Sequence, residues 1–124
     1  MSGRILIVED DSELAGFLRD FLQKKNYEVS LAENGLEAIE ASHRHHIDLI
    51  LMDVCMPFFS GLWFCKAFKD KPQTRNIPIV FVSGAAGEDS VQKAHELGAA
   101  DFLKKPFDFA HLLAVIEKHI LRHA

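Results

Sequence analysis

Short apolar runs rich in β-branched residues alternate along the chain with stretches of helical periodicity. Residues 5–8, 47–54 and 77–82 are nearly continuous apolar runs, which is typical of parallel strands that are covered on both faces. Residues 28–32 alternate polar and apolar and predict an edge strand, and residues 99–103 are a weaker candidate for a fifth strand. This alternation favours an α/β fold over an all-helical or all-strand one.

An apolar stripe at helical spacing predicts the first helix, with Ser12 as its cap and Asn26 at its end. Residues 36–43, 61–70 and 88–97 fill the next gaps as helices, and Asp108 caps a final one. Gly98 follows the fourth helix as a C-terminal cap. The members of the stripe in the first helix are Leu14, Phe17, Leu18, Phe21 and Leu22.

Five strand-helix units in sequence predict a doubly wound domain with right-handed crossovers. A chain of 124 residues has the length of one such domain, so we expect residues 1–124 to be a single domain without an output domain. Ligands of these folds bind outside the carboxyl ends of the strands, and the candidate site residues are expected at that edge.

Charge and composition restrict the classes of partner. The net charge of −4 provides no basic surface for nucleic acid or for an anionic membrane, and no apolar run has the length of a membrane span. Cys55 and Cys65, without a signal peptide, fit a reducing cytoplasm. We therefore expect a cytoplasmic protein whose partner is another protein or a small anion.

Polar residues follow the predicted strands where each one ends. Glu9 and Asp10 follow the first strand, and Asp53, Ser83 and Lys105 close the third, fourth and fifth. Carboxylates that lie close together require a raised pKa or a bound cation, and a few oxygen ligands favour Mg²⁺ over zinc. A carboxylate beside Mg²⁺, a lysine and a hydroxyl is suited to accepting a phosphoryl group, which predicts an aspartyl phosphate at Asp53.

Four motifs in order identify a family. The segments "ILIVEDD", "DLILMDVCMP..SG", "IPIVFVSGAA" and "A..LGAADFLKKPF" together resemble the response regulator receiver domain over essentially the whole chain. The resemblance implies a flavodoxin-like (βα)5 fold with a parallel sheet of order 2-1-3-4-5 and helices on both faces. It also implies a signalling protein rather than an enzyme, in which a histidine kinase or a histidine phosphotransfer protein phosphorylates Asp53.

The same resemblance implies a metal site. Asp10 and Asp53 would bind Mg²⁺ directly, Glu9 would bind it through water, and the backbone carbonyl of Cys55 would complete the protein ligands. Mn²⁺ would be a substitute.

The remaining family roles concern phosphate binding and switching. Ser83 would bond a phosphoryl oxygen, Lys105 would pair with the phosphate, and Ser83 and Phe102 would form the switch. The Lys105–Pro106 peptide bond is expected to be cis. The face made by the last two predicted helices and the fifth predicted strand would then present a changed surface to a downstream protein, in a monomer or a phosphorylation-dependent dimer.

Three positions depart from the family pattern. Small or polar residues usually stand at Phe58, an acid at Trp63, and alanine at Gly84. Phe58, Phe59 and Trp63 either pack on one another as a local lid or form an exposed patch for a partner or for self-association. Trp63 is expected toward the edge of its helix or in solvent. Gly84 is expected to loosen its loop and shorten the life of the phosphate.

Other functions have weaker support from the sequence. The domain could be the receiver fragment of a larger transcriptional regulator or hybrid histidine kinase. A small hydrolase with Asp53 as nucleophile lacks a second acid two residues on, where Cys55 stands, and a flavodoxin-like cofactor binder would not place acids in the first strand-helix turn. Metal binding by the histidines of segment 43–46, or by His119 and His123, is not favoured.

Overall fold

Five parallel strands form one sheet in which the first strand lies inside and the second is an edge. The computed structural model describes residues 3–53, 55–56, 59–84 and 88–120. Numbered along the chain, the five strands lie in the order 2-1-3-4-5 in the sheet, so the predicted doubly wound order is confirmed. The strands are β1 Arg4–Val8, β2 Glu28–Ala32, β3 Leu49–Asp53, β4 Ile79–Ser83 and β5 Asp101–Lys104.

One helix follows each strand of the sheet. The helices are α1 Ser12–Lys24, α2 Gly35–Arg44, α3 Gly61–Lys69, α4 Glu88–Glu96 and α5 Phe109–His119. A short antiparallel pair, Cys55–Met56 with Phe59–Ser60, lies between β3 and α3; the sequence did not predict it. No helix in the described part of the chain is long and apolar enough to cross a membrane.

Alternate side chains of the strands contribute to two hydrophobic cores, one on each face of the sheet, because successive side chains of a strand point to opposite faces. On one face the strands pack with residues of α1 and α5, including Leu18, Leu22 and Leu112. On the other face they pack with residues of α2, α3 and α4, including Phe64 and Ala94. The central strands are therefore buried on both sides, as their unbroken apolar sequences predict.

The buried face of α1 is narrower than the apolar stripe in its sequence. Leu18 and Leu22 are buried, together with Ala15 between the predicted positions, whereas Phe17 is 64% exposed. The buried face is centred on the i, i+3, i+7 row that begins at Ala15, and Phe17 lies outside this face, toward solvent. A large apolar residue at helical spacing is thus not always a core residue.

The structure shows that the predicted N-terminal cap of α1 is wrong. The carboxylate of Asp11, not the hydroxyl of Ser12, accepts hydrogen bonds from the backbone N–H groups of Glu13 and Leu14, at 3.1 and 3.2 Å. The cap therefore lies one residue earlier than predicted, because the side chain of Asp11 can reach the free amides of the first turn. At the other end, Asn26 has the left-handed φ of 71°, which suits its predicted place after the helix.

Two later helix ends agree with the sequence. Asp108 accepts a hydrogen bond from the backbone N–H of His111 at 2.6 Å and caps α5. Gly98, just after α4, has a φ of 94°, a conformation that glycine adopts without steric cost.

Strands β3 and β4 begin two residues later than predicted. Ile47 and Ile77 are buried, at 2% and 8% exposure, but both lie outside the strands. An apolar side chain reports burial rather than backbone pairing, and for this reason the sequence overextended both strands at their starts.

Candidate functional site

The carboxyl edge of the sheet gathers the polar residues that the sequence singled out. Glu9 follows β1, Asp53 ends β3, Ser83 ends β4 and Lys105 follows β5. Adjacent strands are in register there, with Asp53 opposite Val82 and Ser83 opposite Lys104. Parallel pairing therefore brings residues far apart in sequence to one edge.

Three acidic residues form a cluster that could hold a metal ion. Oxygen atoms of Glu9, Asp10 and Asp53 lie within 4.8 Å of one another. Glu9 is buried, Asp53 is largely buried and Asp10 is exposed, so one side of the cluster is open to solvent. A set of hard oxygen donors with room for water is what Mg²⁺ prefers, and these residues fit such an ion.

Lys105 lies between two of these acids. Its Nζ atom is 3.1 Å from Oε1 of Glu9 and 3.4 Å from Oδ2 of Asp53. Its backbone N–H donates to the carbonyl oxygen of Ser83 at 2.9 Å, which fixes the start of this segment against β4. Burial alone would lower the pKa of Lys105, but the hydrogen bond and charge of Glu9 and the charge of Asp53 raise it. The ammonium therefore stays charged beside Asp53.

The buried carboxylate of Glu9 is in an unfavourable environment for a negative charge. Burial and the charge of Asp53 raise the pKa of Glu9 to about 7, although Lys105 opposes the shift. A carboxyl group with such a pKa near two other acids is stabilised in its charged form by a further cation. The electrostatics of the cluster thus favour a divalent ion.

The two residues of the predicted switch lie on adjacent strands. Ser83 is buried at the end of β4, and Phe102 in β5 is half-buried against a core cluster that includes Ala94 of α4. The ring centroids of Phe81 and Phe102 are 6.3 Å apart. The peptide bond between Lys105 and Pro106 is cis.

The sequence analysis did not predict a polar contact at the backbone of Phe102. The carboxylate of Asp101 accepts a hydrogen bond from the backbone N–H of Phe102 at 2.8 Å and lies 3.0 Å from Nε2 of His119 in α5. These hydrogen bonds and the charges of His119 and Lys118 lower the pKa of Asp101, although burial by itself would raise it. No local pattern could have revealed this pair, because 18 residues separate its members.

The aromatic segment after Asp53 is only partly described. Phe58 lies outside the described residues, and only the backbone of Cys55 and Phe59 is described. Trp63 is 57% exposed, which confirms its predicted place toward solvent. Whether the aromatic residues form a lid or a patch stays a prediction.

In the described part of the chain, no histidine belongs to a group of three ligand residues close enough to share a metal ion, and His123 lies outside the described residues. Within that described part, the group of Glu9, Asp10 and Asp53 alone brings three ligand atoms of His, Cys, Asp or Glu within 4.8 Å. His43, His45 and His46 instead line a cavity at the opposite end of the sheet.

Comparison with known proteins agrees with this geometry. A family model described as "Response regulator receiver domain" matches residues 5–117. Response regulator PleD of Caulobacter vibrioides is 40% identical over 92% of the chain, which spans only 25% of that protein. The polar-differentiation response regulator DivK of Brucella ovis is 31% identical over 97% of the chain and 98% of its own length.

A solved structure of a receiver domain has the same fold. The receiver domain of sensor histidine kinase PA1611 from Pseudomonas aeruginosa, with a magnesium ion coordinated in its active-site cleft, has a TM-score of 0.85 and 26% identity. The match covers 96% of this chain and 98% of that one. By fold, by sequence and by the acidic cluster at the sheet edge, the chain belongs to the response regulator receiver domain family.

Proposed function

We propose that the protein is a phosphoacceptor of two-component signalling and that Asp53 carries the phosphoryl group. The observation that carries the proposal is the position of the Lys105 ammonium, 3.4 Å from the carboxylate of Asp53 and within the same cluster as Glu9. This arrangement provides a nucleophile together with a positive charge for the incoming phosphate. Asp53 ends a buried strand, so its carboxylate is held in place rather than on a mobile loop.

The proposed reaction transfers a phosphoryl group from a phosphohistidine of a histidine kinase or phosphotransfer protein. A carboxylate oxygen of Asp53 attacks phosphorus, the new O–P bond forms, and the N–P bond to imidazole breaks with its electron pair returning to the ring nitrogen. Lys105 stays beside the transferred oxygens and offsets their charge, and the hydroxyl of Ser83 donates to one of them.

Asp10, Asp53 and the backbone carbonyl of Cys55 are the proposed direct ligands of Mg²⁺, and Glu9 is proposed to bind the ion through water. When bound, the ion would neutralise charge on the phosphoryl oxygens. The proposal is supported by the convergence of the three acids, by the raised pKa of Glu9 and by the magnesium ion in the PA1611 receiver domain.

The proposed output is a changed protein-binding face. Phosphorylation would draw Ser83 toward the phosphate and let Phe102 turn inward, which alters the surface made by α4, β5 and α5. The target would be a protein that binds this surface. We further propose that residues 1–124 act as one receiver domain in the cytoplasm. The chain matches DivK over 98% of that protein and PleD over 25%. These relatives support a receiver role both for a single domain and for one domain of a longer protein.

Intact mass spectrometry tests the proposal. The wild-type protein is incubated with acetyl phosphate and Mg²⁺, and we expect it to gain the mass of one phosphoryl group. Asp53→Asn should gain none, and wild-type protein in EDTA should gain much less. An unmodified wild-type protein under these conditions, or an equally modified Asp53→Asn protein, would contradict the proposal.

A further inference from the structure

The cavity lined by His43, His45 and His46 lies at the amino edge of the sheet. It has a volume of about 650 Å³ and is formed by the end of α2 and by the segment that connects α3 to β4. This volume is within the range of roughly 300–1,000 Å³ that small-molecule sites occupy. Ile47 lines the cavity just before β3, whereas Asp53 ends that strand. The strand between them is about 13 Å long, so the two sites are separate.

The rim of the cavity is rich in groups that bind anions. Its charged or titratable members are Lys71 and the imidazoles of His43, His45 and His46, and no acidic residue is among the described residues that line it. The nearby carboxylate of Asp48 is buried behind the rim, 3.1 Å from Nε2 of His46. Lys71 offers a positive charge and the imidazoles can donate N–H groups, a combination that suits a phosphate group.

The floor and the remaining rim suit an organic group. Ile47 and Ile77 are buried apolar residues that line the cavity. Gln73 and Asn76 add carboxamides to the rim, and a carboxamide presents a donor and an acceptor side by side, as the edge of a purine does. An apolar floor, two carboxamides and a rim with the ammonium of Lys71 together match a nucleotide better than inorganic phosphate.

The wall from the α3–β4 connection is held in place by internal hydrogen bonds. The hydroxyl of Thr74 donates to the carbonyl oxygen of Phe68 at 2.7 Å. The Nζ atom of Lys69 donates to the carbonyl oxygens of Arg75 and Ile77, both at 3.0 Å. A wall fixed in this way needs little ordering when a ligand binds.

We propose that this cavity binds a purine nucleotide, with the phosphates near Lys71 and the histidines and the base near the carboxamides. The site is independent of phosphorylation at Asp53 and goes beyond the proposed receiver function. Its ligand would be an effector that reports on the nucleotide pool rather than a substrate.

Calorimetric titration of the full chain with ADP tests the proposal. EDTA is present so that binding through a metal at the acidic cluster does not contribute. We expect saturable binding to one site, weakening as salt rises, with adenosine and inorganic phosphate each binding at least about tenfold more weakly. Asp53→Asn should bind ADP as the wild-type protein does.

A charge reversal on the rim provides the matched comparison. Lys71→Glu should weaken ADP binding by at least about tenfold, whereas Lys24→Glu, an exposed lysine on the far side of the sheet, should not. Amide chemical shifts should move in segments 42–47 and 71–77. The proposal is overturned by the absence of saturable ADP binding, by equal losses in the two variants, or by phosphate that binds as tightly as ADP.

Discussion

Gly84 follows Ser83 at the end of β4, beside the acidic cluster and Lys105. A Cβ atom at this position would lie 3.6 Å from Cβ of Lys105 and 3.9 Å from its Cδ, which is ordinary van der Waals contact. An alanine would therefore pack on the stem of Lys105 and restrict the loop that follows β4.

We expect Gly84→Ala to lengthen the half-life of the aspartyl phosphate by roughly two- to fivefold, because an alanine packed on Lys105 would stabilise the phosphorylated protein by about 0.4–1 kcal/mol. The half-life is measured by intact mass after the phosphodonor is removed. Gly16→Ala on α1, where a Cβ atom would meet only the tip of the Arg19 side chain, is the control. A half-life that Gly84→Ala leaves unchanged or shortens would contradict this account.

The stability of α1 depends on the carboxylate of Asp11, which caps its first turn. Asp11 accepts two backbone hydrogen bonds from the first turn, and Ser12 is already inside the helix. We expect Asp11→Ala to lower the free energy of unfolding by about 1 kcal/mol, and Ser12→Ala to have a smaller effect. Urea unfolding followed by circular dichroism measures both. A larger loss for Ser12→Ala would show that the cap is misplaced.

The contact between β5 and α5 gives stability that depends on pH. Hydrogen bonds from Phe102 and His119 lower the pKa of Asp101, so its ionised form favours the folded state. The stabilisation is present above the pKa of the unfolded carboxyl group, about 4, and is lost as pH falls through the lower folded value.

We therefore expect Asp101→Asn to destabilise the protein at pH 7, by about 1 kcal/mol, and to have a smaller effect near pH 3. Urea midpoints of the wild-type protein and the variant at both pH values test this. A stability difference that is constant with pH would mean that the charge of Asp101 contributes nothing.

The sequence predicted the architecture of the domain better than the exact ends of its helices and strands. Continuous apolar strands separated by amphipathic helices restrict the chain to a doubly wound sheet, and the order of strands followed from the resemblance. The acidic cluster was also predicted from the sequence, since Glu9, Asp10 and Asp53 each lie at the end of a predicted strand. These features depend on patterns within a few residues.

Contacts between distant segments could not be predicted in the same way. The pairing of Asp101 with His119 and the cavity between α2 and the α3–β4 connection both require the packed structure. The exposure of Phe17 depended on which face of α1 meets the sheet. In each case the local sequence is compatible with several tertiary arrangements, and contacts with distant segments determine which one forms.

Loss of phosphorylation in Asp53→Asn would not by itself identify the acceptor, because Asp53 belongs to the acidic cluster as well. The direct measurement is borohydride reduction of the phosphorylated wild-type protein, which converts an aspartyl phosphate to homoserine, followed by peptide mass spectrometry. We expect homoserine at position 53 and intact aspartate at position 10. Homoserine at position 10, or none in the peptide that contains position 53, would contradict it.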